Sequence, residues 1–310
     1  MVTGETLYHI DLVNYEGELK AGHGWSNHIV GFYDGGTCIF NPTSSTWVHS
    51  NKNALFMRNG IQCSSVYARD NIYVFGGDGP NIEDSYVWYS LVDQKWSIKN
   101  IVGPSVEGGS NISACFDGQR FIYLVGGTHK GYLLNRVDCF DVETGTFRHV
   151  GTLPYHFKSA VSFFQNGIIY IVGGYDKEDK NLGAIFTFNT LNLGSNKLFR
   201  QLPTYVDNKK KMSACFDGKD RVYLSSNGWF HYILLSSLGG PFTLTSPPLT
   251  TFPSDFTLFF VPGFGPTLCD SERISMYNTM YNNWEQIYTG KLRDIAWCHI
   301  TAAAVVEDTT

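Results

Sequence analysis

Nine histidines and seven cysteines are the side chains of this chain best suited to bind a metal ion or to attack a substrate. Their spacing favours neither role. The cysteines are isolated, with no Cys-x-x-Cys pair, and the histidines are scattered without metal-ligand spacing. No Gly-x-Ser-x-Gly, His-Glu-x-x-His or P-loop motif is present. We therefore expect a protein that is not an enzyme and that has no catalytic residues, no metal and no cofactor.

Two glycine-rich segments have the composition of phosphate-binding loops. They are Gly76-Gly-Asp-Gly79 and Gly126-Gly-Thr128, and each follows an apolar run of strand length. A phosphate loop is completed by the N-terminus of a helix, and no helical pattern follows either segment. Because the pattern also recurs along the chain, we interpret both segments as structural turns.

The charge balance excludes several classes of partner. The 310 residues include 23 Lys+Arg and 28 Asp+Glu, so the formal net charge is -5. Nucleic-acid binding needs a basic face, and the run Lys209–Lys211 is too short to make one. There is no apolar run of membrane-spanning length and no signal-peptide pattern. Cysteines without a disulfide pattern indicate a reducing compartment, so we expect a cytoplasmic monomer that binds neither nucleic acid nor a membrane.

Internal repetition is the strongest pattern in the sequence. One apolar run with a terminal doublet occurs four times, as Asn71-Ile-Tyr-Val-Phe-Gly-Gly77, Phe121-Ile-Tyr-Leu-Val-Gly-Gly127, Ile168-Ile-Tyr-Ile-Val-Gly-Gly174 and the degraded Arg221-Val-Tyr-Leu-Ser-Ser-Asn227. The segment Ser113-Ala-Cys-Phe-Asp-Gly118 returns as Ser213-Ala-Cys-Phe-Asp-Gly218. A strand, an Asp-Gly type of turn and a second strand together predict a β-hairpin.

A second signal follows each hairpin. A bulky apolar residue and a small polar residue precede an aromatic residue, which lies six positions after the polar one in most copies. These aromatic residues are Trp47, Trp96, Phe147, Phe199, Phe242 and Trp284, and they are 42 to 52 residues apart. Four extra residues precede Phe199. This spacing predicts six units of four short strands each.

Four-stranded units with this period are typical of β-propeller blades. A single such sheet cannot bury both of its faces, whereas sheets arranged radially cover one another. We therefore predict an all-β, six-bladed β-propeller that forms one domain over residues 1–310. The predicted blades are residues 22–50 with 297–306, then 60–100, 110–152, 158–203, 211–252 and 255–290.

The glycine doublets, the downstream aromatic-polar pair and the spaced aromatic residue resemble kelch repeats over roughly residues 25–305. Three units keep both glycines in register. The fifth has Ser226-Asn227 in their place and the sixth has Pro262-Gly263, while Gly35-Gly36 lies just before the third strand of the first unit. The resemblance implies a kelch-type propeller that acts as a substrate adaptor, a cytoskeletal binder or a scaffold.

A propeller ring must close, because an open ring exposes strand edges. The C-terminal segment His299-Ile-Thr-Ala-Ala-Ala-Val-Val-Glu307 has the pattern of a first strand with no unit after it. We expect it to supply the inner strand of the blade that ends at Trp47. Leu7-Tyr-His-Ile-Asp-Leu-Val13 is the alternative segment for the same place.

Binding residues are expected in the loops that join strands 2 and 3 of a blade and strand 4 to the next blade, because these loops lie on one face. The 2–3 loops are predicted at 78–81, 128–130, 175–177, 227–229 and 264–265, and the last 4–1 loop at 297–299. The candidate partner-binding residues are Arg58, Asn59, His129, Lys130, His156, Lys158, Tyr175, Lys211, Trp229 and His299. Cations beside aromatic side chains favour a peptide or protein loop that is acidic or phosphorylated.

Two other classes of function stay open on the sequence alone. One is a propeller enzyme, either a metal- or radical-dependent oxidase or a carbohydrate-active enzyme. The other is a sugar-binding protein that stacks its ligand on Trp229 and Tyr175. The aromatic side chains could instead fill the central channel, and this alternative applies to Trp229 and Trp297 more than to Tyr175.

Overall fold

The structure is a computed structural model. It describes residues 28–33, 36–41, 44, 46–50, 63–77, 84–103, 106, 108–199, 212–226, 229–237, 243–244, 256–270, 273–289 and 296–299. For some of these residues, including Trp47, Trp229 and His299, only the backbone is described.

Twenty-six short strands make up nearly all of the described secondary structure. They are β1 Ile29–Tyr33, β2 Gly36–Asn41, β3 Thr46–Ser50, β4 Cys63–Ala68, β5 Asn71–Gly76, β6 Ser85–Ser90, β7 Lys95–Asn100, β8 Ser113–Phe116, β9 Phe121–Val125, β10 Thr128–His129, β11 Tyr132–Leu133, β12 Arg136–Asp141, β13 Thr146–Thr152, β14 Val161–Gln165, β15 Ile168–Val172, β16 Ile185–Asn189, β17 Ser195–Phe199, β18 Met212–Phe216, β19 Arg221–Ser226, β20 Trp229–Leu234, β21 Thr243–Leu244, β22 Phe256–Val261, β23 Gly265–Asp270, β24 Arg273–Asn278, β25 Asn283–Thr289 and β26 Ala296–His299. The helical content of the described residues is one 3-10 turn, Leu235–Ser237. The predicted all-β class is confirmed.

The strands form six four-stranded antiparallel sheets. In strand order, sheet 1 is β26-β1-β2-β3, sheet 2 is β4 to β7, sheet 3 is β8-β9-β12-β13, sheet 4 is β14 to β17, sheet 5 is β18 to β21 and sheet 6 is β22 to β25. The strands β10 and β11 form a separate two-stranded hairpin, inserted between the second and third strands of sheet 3.

The first strands of the six sheets contact one another in a cycle. The strand β26 contacts β4, and the contacts continue through β8, β14, β18 and β22 back to β26. Serine side chains link neighbouring first strands. The Ser64 hydroxyl of β4 accepts a hydrogen bond from the Ala114 N–H of β8 at 3.0 Å. The Ser213 hydroxyl does the same for the Leu258 N–H at 3.0 Å. Backbone donors on the inner edge, which have no strand partner, are satisfied in this way.

The C-terminal strand joins the first sheet of the chain. It runs antiparallel to β1, with His299 opposite Ile29 and Ala296 opposite Phe32. The predicted pairing of a C-terminal strand with the unit that ends at Trp47 is therefore present, but within the described residues the strand shares only His299 with the predicted segment 299–307. Residues 300–306 and the alternative segment 7–13 lie outside the described residues.

The core lies between adjacent sheets, where aromatic side chains stack from one sheet onto the next. Tyr123, from the repeated Ile-Tyr pattern of sheet 3, stacks on Phe164 of sheet 4 at 5.7 Å between ring centroids. Tyr223 of sheet 5 stacks on Phe260 of sheet 6 at 6.1 Å. Among the described residues, a cluster of buried apolar side chains lies between each pair of neighbouring sheets. Both faces of each sheet are thereby covered, which explains why these strands are apolar without strict alternation.

Two predicted alignments were wrong. Val261 pairs with Gly265, so Pro262, Gly263 and Phe264 form the turn between the first two strands of sheet 6, and not its 2–3 loop. In sheet 4, Phe188 lies opposite Ser195, so Phe199 does not hold the place that Phe147 holds opposite Phe140 in sheet 3. The 3–4 turn of sheet 4 has the same length as that of sheet 3, and Ser195 holds the position that an aromatic residue holds there. In sheet 6, Pro and Gly belong to a turn at the other end of the sheet, because these residues favour turns at either end.

Candidate interaction face

The connections of an antiparallel sheet alternate between its two ends. The 1–2 and 3–4 turns of each sheet lie at one end, and the 2–3 and 4–1 connections lie at the other. We call this second end the loop face. It is described best for sheets 2, 3 and 4, where most of residues 84–184 are described.

A hairpin projects from the loop face at sheet 3. Its strands β10 and β11 pair Thr128 with Leu133 and His129 with Tyr132. Lys130 and Gly131 form its tip, with φ angles of 49° and 82°. Positive φ at both central residues is the geometry of a type I′ turn, which matches the twist of a two-residue hairpin.

Hydrogen bonds fix the base of this hairpin to the neighbouring connection. Ser110 and Thr128 exchange backbone hydrogen bonds of 2.8 Å in both directions. Their hydroxyl oxygens also lie 2.8 Å apart. On the other side of the hairpin, the Leu134 N–H donates to the Gly127 carbonyl at 2.8 Å. The base of the hairpin, which carries the tip, is therefore fixed by hydrogen bonds on both sides.

The hairpin also reaches the preceding sheet. His129 Nδ1 lies 3.9 Å from an Asp84 carboxylate oxygen next to the third strand of sheet 2. The His129 side chain is mostly buried by this position, whereas Lys130 is exposed and Tyr132 is 77% exposed. The hairpin thus presents a cation and an aromatic ring to solvent.

The connection from sheet 3 to sheet 4 runs beside the hairpin. Phe157 is 1% exposed, and its N–H donates to the Leu134 carbonyl at 3.2 Å. The buried Phe157 ring anchors the connection to the core between sheets 3 and 4. The two preceding residues face solvent, since Tyr155 is 41% exposed and His156 is exposed. The Tyr155 ring also packs on Phe186 at 5.1 Å, so it is held in place while one side faces solvent.

Lys158 and Tyr175 lie together on sheet 4 but contribute less surface than the sequence predicts. They exchange backbone hydrogen bonds of 3.0 and 2.9 Å. Lys158 Nζ is 2.7 Å from an Asp179 carboxylate oxygen, so its charge is paired. Tyr175 is 9% exposed, and burial raises the pKa of its hydroxyl. Its ring therefore serves packing more than contact with a partner.

The other predicted residues divide into two groups. Arg58, Asn59 and Lys211 lie outside the described residues. Trp229 lies in β20 opposite Ser226, and His299 lies in β26 opposite Ile29, so both belong to strands and not to the predicted loops. The loop face of the described structure thus brings together His129, Lys130, His156, Lys158 and Tyr175.

Sequence reasoning missed Tyr132 and Tyr155. The sequence contains a signal for Tyr132, because the eight residues between Gly127 and Arg136 are too many for a simple 2–3 turn. The central Lys130-Gly131 pair is typical of the turn of an additional hairpin. Tyr155 follows Leu153-Pro154 directly, and its exposure results from the burial of Phe157.

Within the part of the chain that the structure describes, no three His, Cys, Asp or Glu side chains are grouped so that they could hold a metal ion. Among the same residues, no helix is long and apolar enough to span a membrane.

Radial four-stranded sheets with short turns at one end and longer connections at the other define a β-propeller. The chain belongs to the kelch-repeat family, since the family described as the KLHDC2/KLHL20/DRC7 Kelch-repeats domain matches residues 22–225. A RING finger domain and kelch repeat-containing protein of Dictyostelium discoideum is 30% identical over 160 residues, or 50% of this chain. The match covers 15% of that relative. Kelch-repeat propellers generally mediate protein–protein interactions.

Proposed function

We propose that the six sheets are the blades of one six-bladed ring, and that the chain is a single domain with the blade boundaries predicted above. The cycle of contacts among the first strands supports this arrangement, since β22 reaches β26 and β26 reaches β4. The pairing of β26 with β1 supports closure of the ring by the C-terminal strand.

We propose further that this propeller is a non-catalytic protein-interaction module that binds a peptide or a protein loop on its loop face. The hairpin β10–β11 carries this proposal, because it exposes Lys130 and Tyr132 on a hydrogen-bonded base. Tyr155 and His156 lie on the adjoining connection, which is tied to the hairpin base through the Leu134 carbonyl. Rigid aromatic side chains beside a cation are the groups that most often dominate binding energy at interfaces.

The charges of this region favour a partner with a carboxylate or phosphate group. Lys130, Lys177 and Lys180 are exposed on the loop face. Carboxylates offset most of this charge: Asp179 and Glu178 pair with Lys158 at 2.7 Å and Lys177 at 3.4 Å, and Asp176 and Asp84 lie in the same region. A single acidic or phosphorylated residue near Lys130 fits this balance better than a long acidic run. The module would act as a monomeric adaptor or scaffold in the cytoplasm.

A random peptide library displayed on phage tests the proposal. The wild-type chain is compared with a Lys130→Ala, Tyr132→Ala, Tyr155→Ala variant. Tyr281→Ala is the matched control, because Tyr281 is 72% exposed and lies in the 3–4 turn of sheet 6, at the opposite end of the sheets.

We expect peptides selected by the wild-type chain to bind the control equally well and to lose at least tenfold in affinity for the triple variant, since hot-spot residues typically contribute 1 to 2 kcal/mol or more each. Acidic residues should be enriched among these peptides. If the triple variant bound these peptides as tightly as the wild-type chain does, the binding site would lie elsewhere than on the hairpin. Failure of the wild-type chain to select any peptide would count against a peptide-binding role.

A further inference from the structure

A second group of polar side chains lies on sheet 3, and the interaction module does not use it. Asp138 is buried in β12, and Arg136 holds both of its carboxylate oxygens, with Nε at 3.0 Å and Nη2 at 2.9 Å. His149, on the neighbouring strand β13, places Nδ1 2.8 Å from Asp138 Oδ1. The carboxylate therefore fixes the orientation of the imidazole ring.

A β-bulge brings a hydroxyl group to the other nitrogen of this ring. Asp138 lies opposite His149 and Val137 opposite Gly151, so Val150 is the extra residue. In a regular strand, residues three apart point to opposite faces. The bulge instead places His149 and Thr152 on the same side, with 3.5 Å between His149 Nε2 and Thr152 Oγ1.

The order carboxylate, imidazole, hydroxyl is the arrangement that activates an alcohol as a nucleophile. When His149 Nδ1–H donates to Asp138, the lone pair of Nε2 is directed toward the Thr152 hydroxyl. The His149 side chain is 33% exposed and Thr152 is exposed, so a reagent in solution can reach both.

We propose that Thr152 is an activated hydroxyl that accepts an acyl group from an activated ester or thioester. Thr152 Oγ attacks the carbonyl carbon, and its proton passes to His149 Nε2. The bond between that carbon and the leaving oxygen or sulfur breaks, its electron pair stays with the leaving group, and His149 passes the proton to that group, which regenerates the imidazole base. The product is a stable ester of Thr152, formed once per chain, so the inference goes beyond the binding role without contradicting it.

The chain contains its own control for this site. Sheet 6 has the same bulge, with Arg273 opposite Thr289 and Ser275 opposite Gln286. Thr289 thus repeats the position of Thr152, and Arg273 repeats that of Arg136. Serine and glutamine replace the carboxylate and the imidazole, so Thr289 is the reference threonine at the same register position without this pair.

The experiment treats the full chain with p-nitrophenyl acetate and follows acetylation of each peptide by mass spectrometry. We expect Thr152 to be acetylated about 100-fold faster than Thr289, because a positioned general base contributes about 10² to 10⁴ in rate. His149→Ala should bring Thr152 down to the rate of Thr289, and added imidazole should restore part of the loss. The melting temperature of this variant should be close to that of the wild type.

Equal acetylation of Thr152 and Thr289 in the wild-type chain would overturn the proposal, and this comparison needs no substitution. An unchanged rate at Thr152 in His149→Ala would overturn it as well. Asp138→Asn tests the positioning role of the carboxylate. A folded Asp138→Asn variant should acetylate Thr152 at least tenfold more slowly and still respond to imidazole, whereas an unchanged rate would remove Asp138 from the mechanism.

Discussion

Gly127, the second glycine of the doublet in sheet 3, offers a direct test of why the doublets recur. Its φ is 98°, and a Cβ atom built on it would lie 2.7 Å from the Ser110 carbonyl oxygen and 2.6 Å from Ile112 Cγ1. The left-handed backbone alone costs an L-residue roughly 1 to 2 kcal/mol. Crowding in a packed site adds roughly 1 to 3 kcal/mol. We therefore expect Gly127→Ala to lower the free energy of unfolding by about 2 to 5 kcal/mol.

Gly118→Ala is the matched control, because Gly118 has a φ of 84° with nothing within 4 Å of the added Cβ. It should lose only the backbone contribution, about 1 to 2 kcal/mol. Urea denaturation followed by tryptophan fluorescence measures both variants against the wild type. Equal losses in the two variants would refute the reasoning, because steric contact with Ser110 and Ile112 would then contribute nothing.

Two further predictions concern ionisable groups. Hydrogen bonds from Arg120 lower the pKa of Asp141 to about 2, so its contribution to stability is present at neutral pH and is lost as the pH falls from about 4 to 2. Asp141→Asn should lower the free energy of unfolding by at most about 1 kcal/mol at pH 7, since the Asp141–Arg120 pair is near the surface. When the stability of both proteins is measured as the pH is lowered, the difference between them should disappear below pH 2. Burial raises the pKa of the Cys115 thiol to about 12, whereas Cys63 is half-buried. Iodoacetamide should label Cys63 before Cys115 in the native chain, and faster labelling of Cys115 would contradict the described burial.

Repeated local patterns made most of the fold predictable. Asp117 illustrates why, since its carboxylate accepts hydrogen bonds from the N–H groups of Gln119 and Arg120, both at 2.8 Å, and of Phe121 at 2.9 Å. Such a turn is encoded by its own residues, so Asp-Gly located a hairpin from sequence alone. The same turn, with the same three hydrogen bonds, recurs at Asp217.

The candidate site was less predictable, because exposure depends on contacts between sheets. Tyr175 was expected at the surface, yet it is buried, and its hydroxyl interacts with the side chain of Asn181 and the backbone of Met212. Tyr132 is exposed because an insertion carries it away from the sheet. The length of that insertion is visible in the sequence, whereas the burial of Tyr175 is not, since it depends on how the neighbouring segments pack.

The pairing of β26 with β1 has a consequence for synthesis of the chain. His299 is 270 residues after its partner Ile29. At a synthesis rate of roughly 5 to 20 residues per second, β26 is made about 15 to 50 seconds after β1, and β1 lacks this partner strand during that time. Hairpins of the later sheets can form within microseconds of their own synthesis. Sheet 1, whose strands β1 to β3 precede the other described strands, is therefore completed only after β26 is made, and its edge at β1 stays open to pairing with another chain until then.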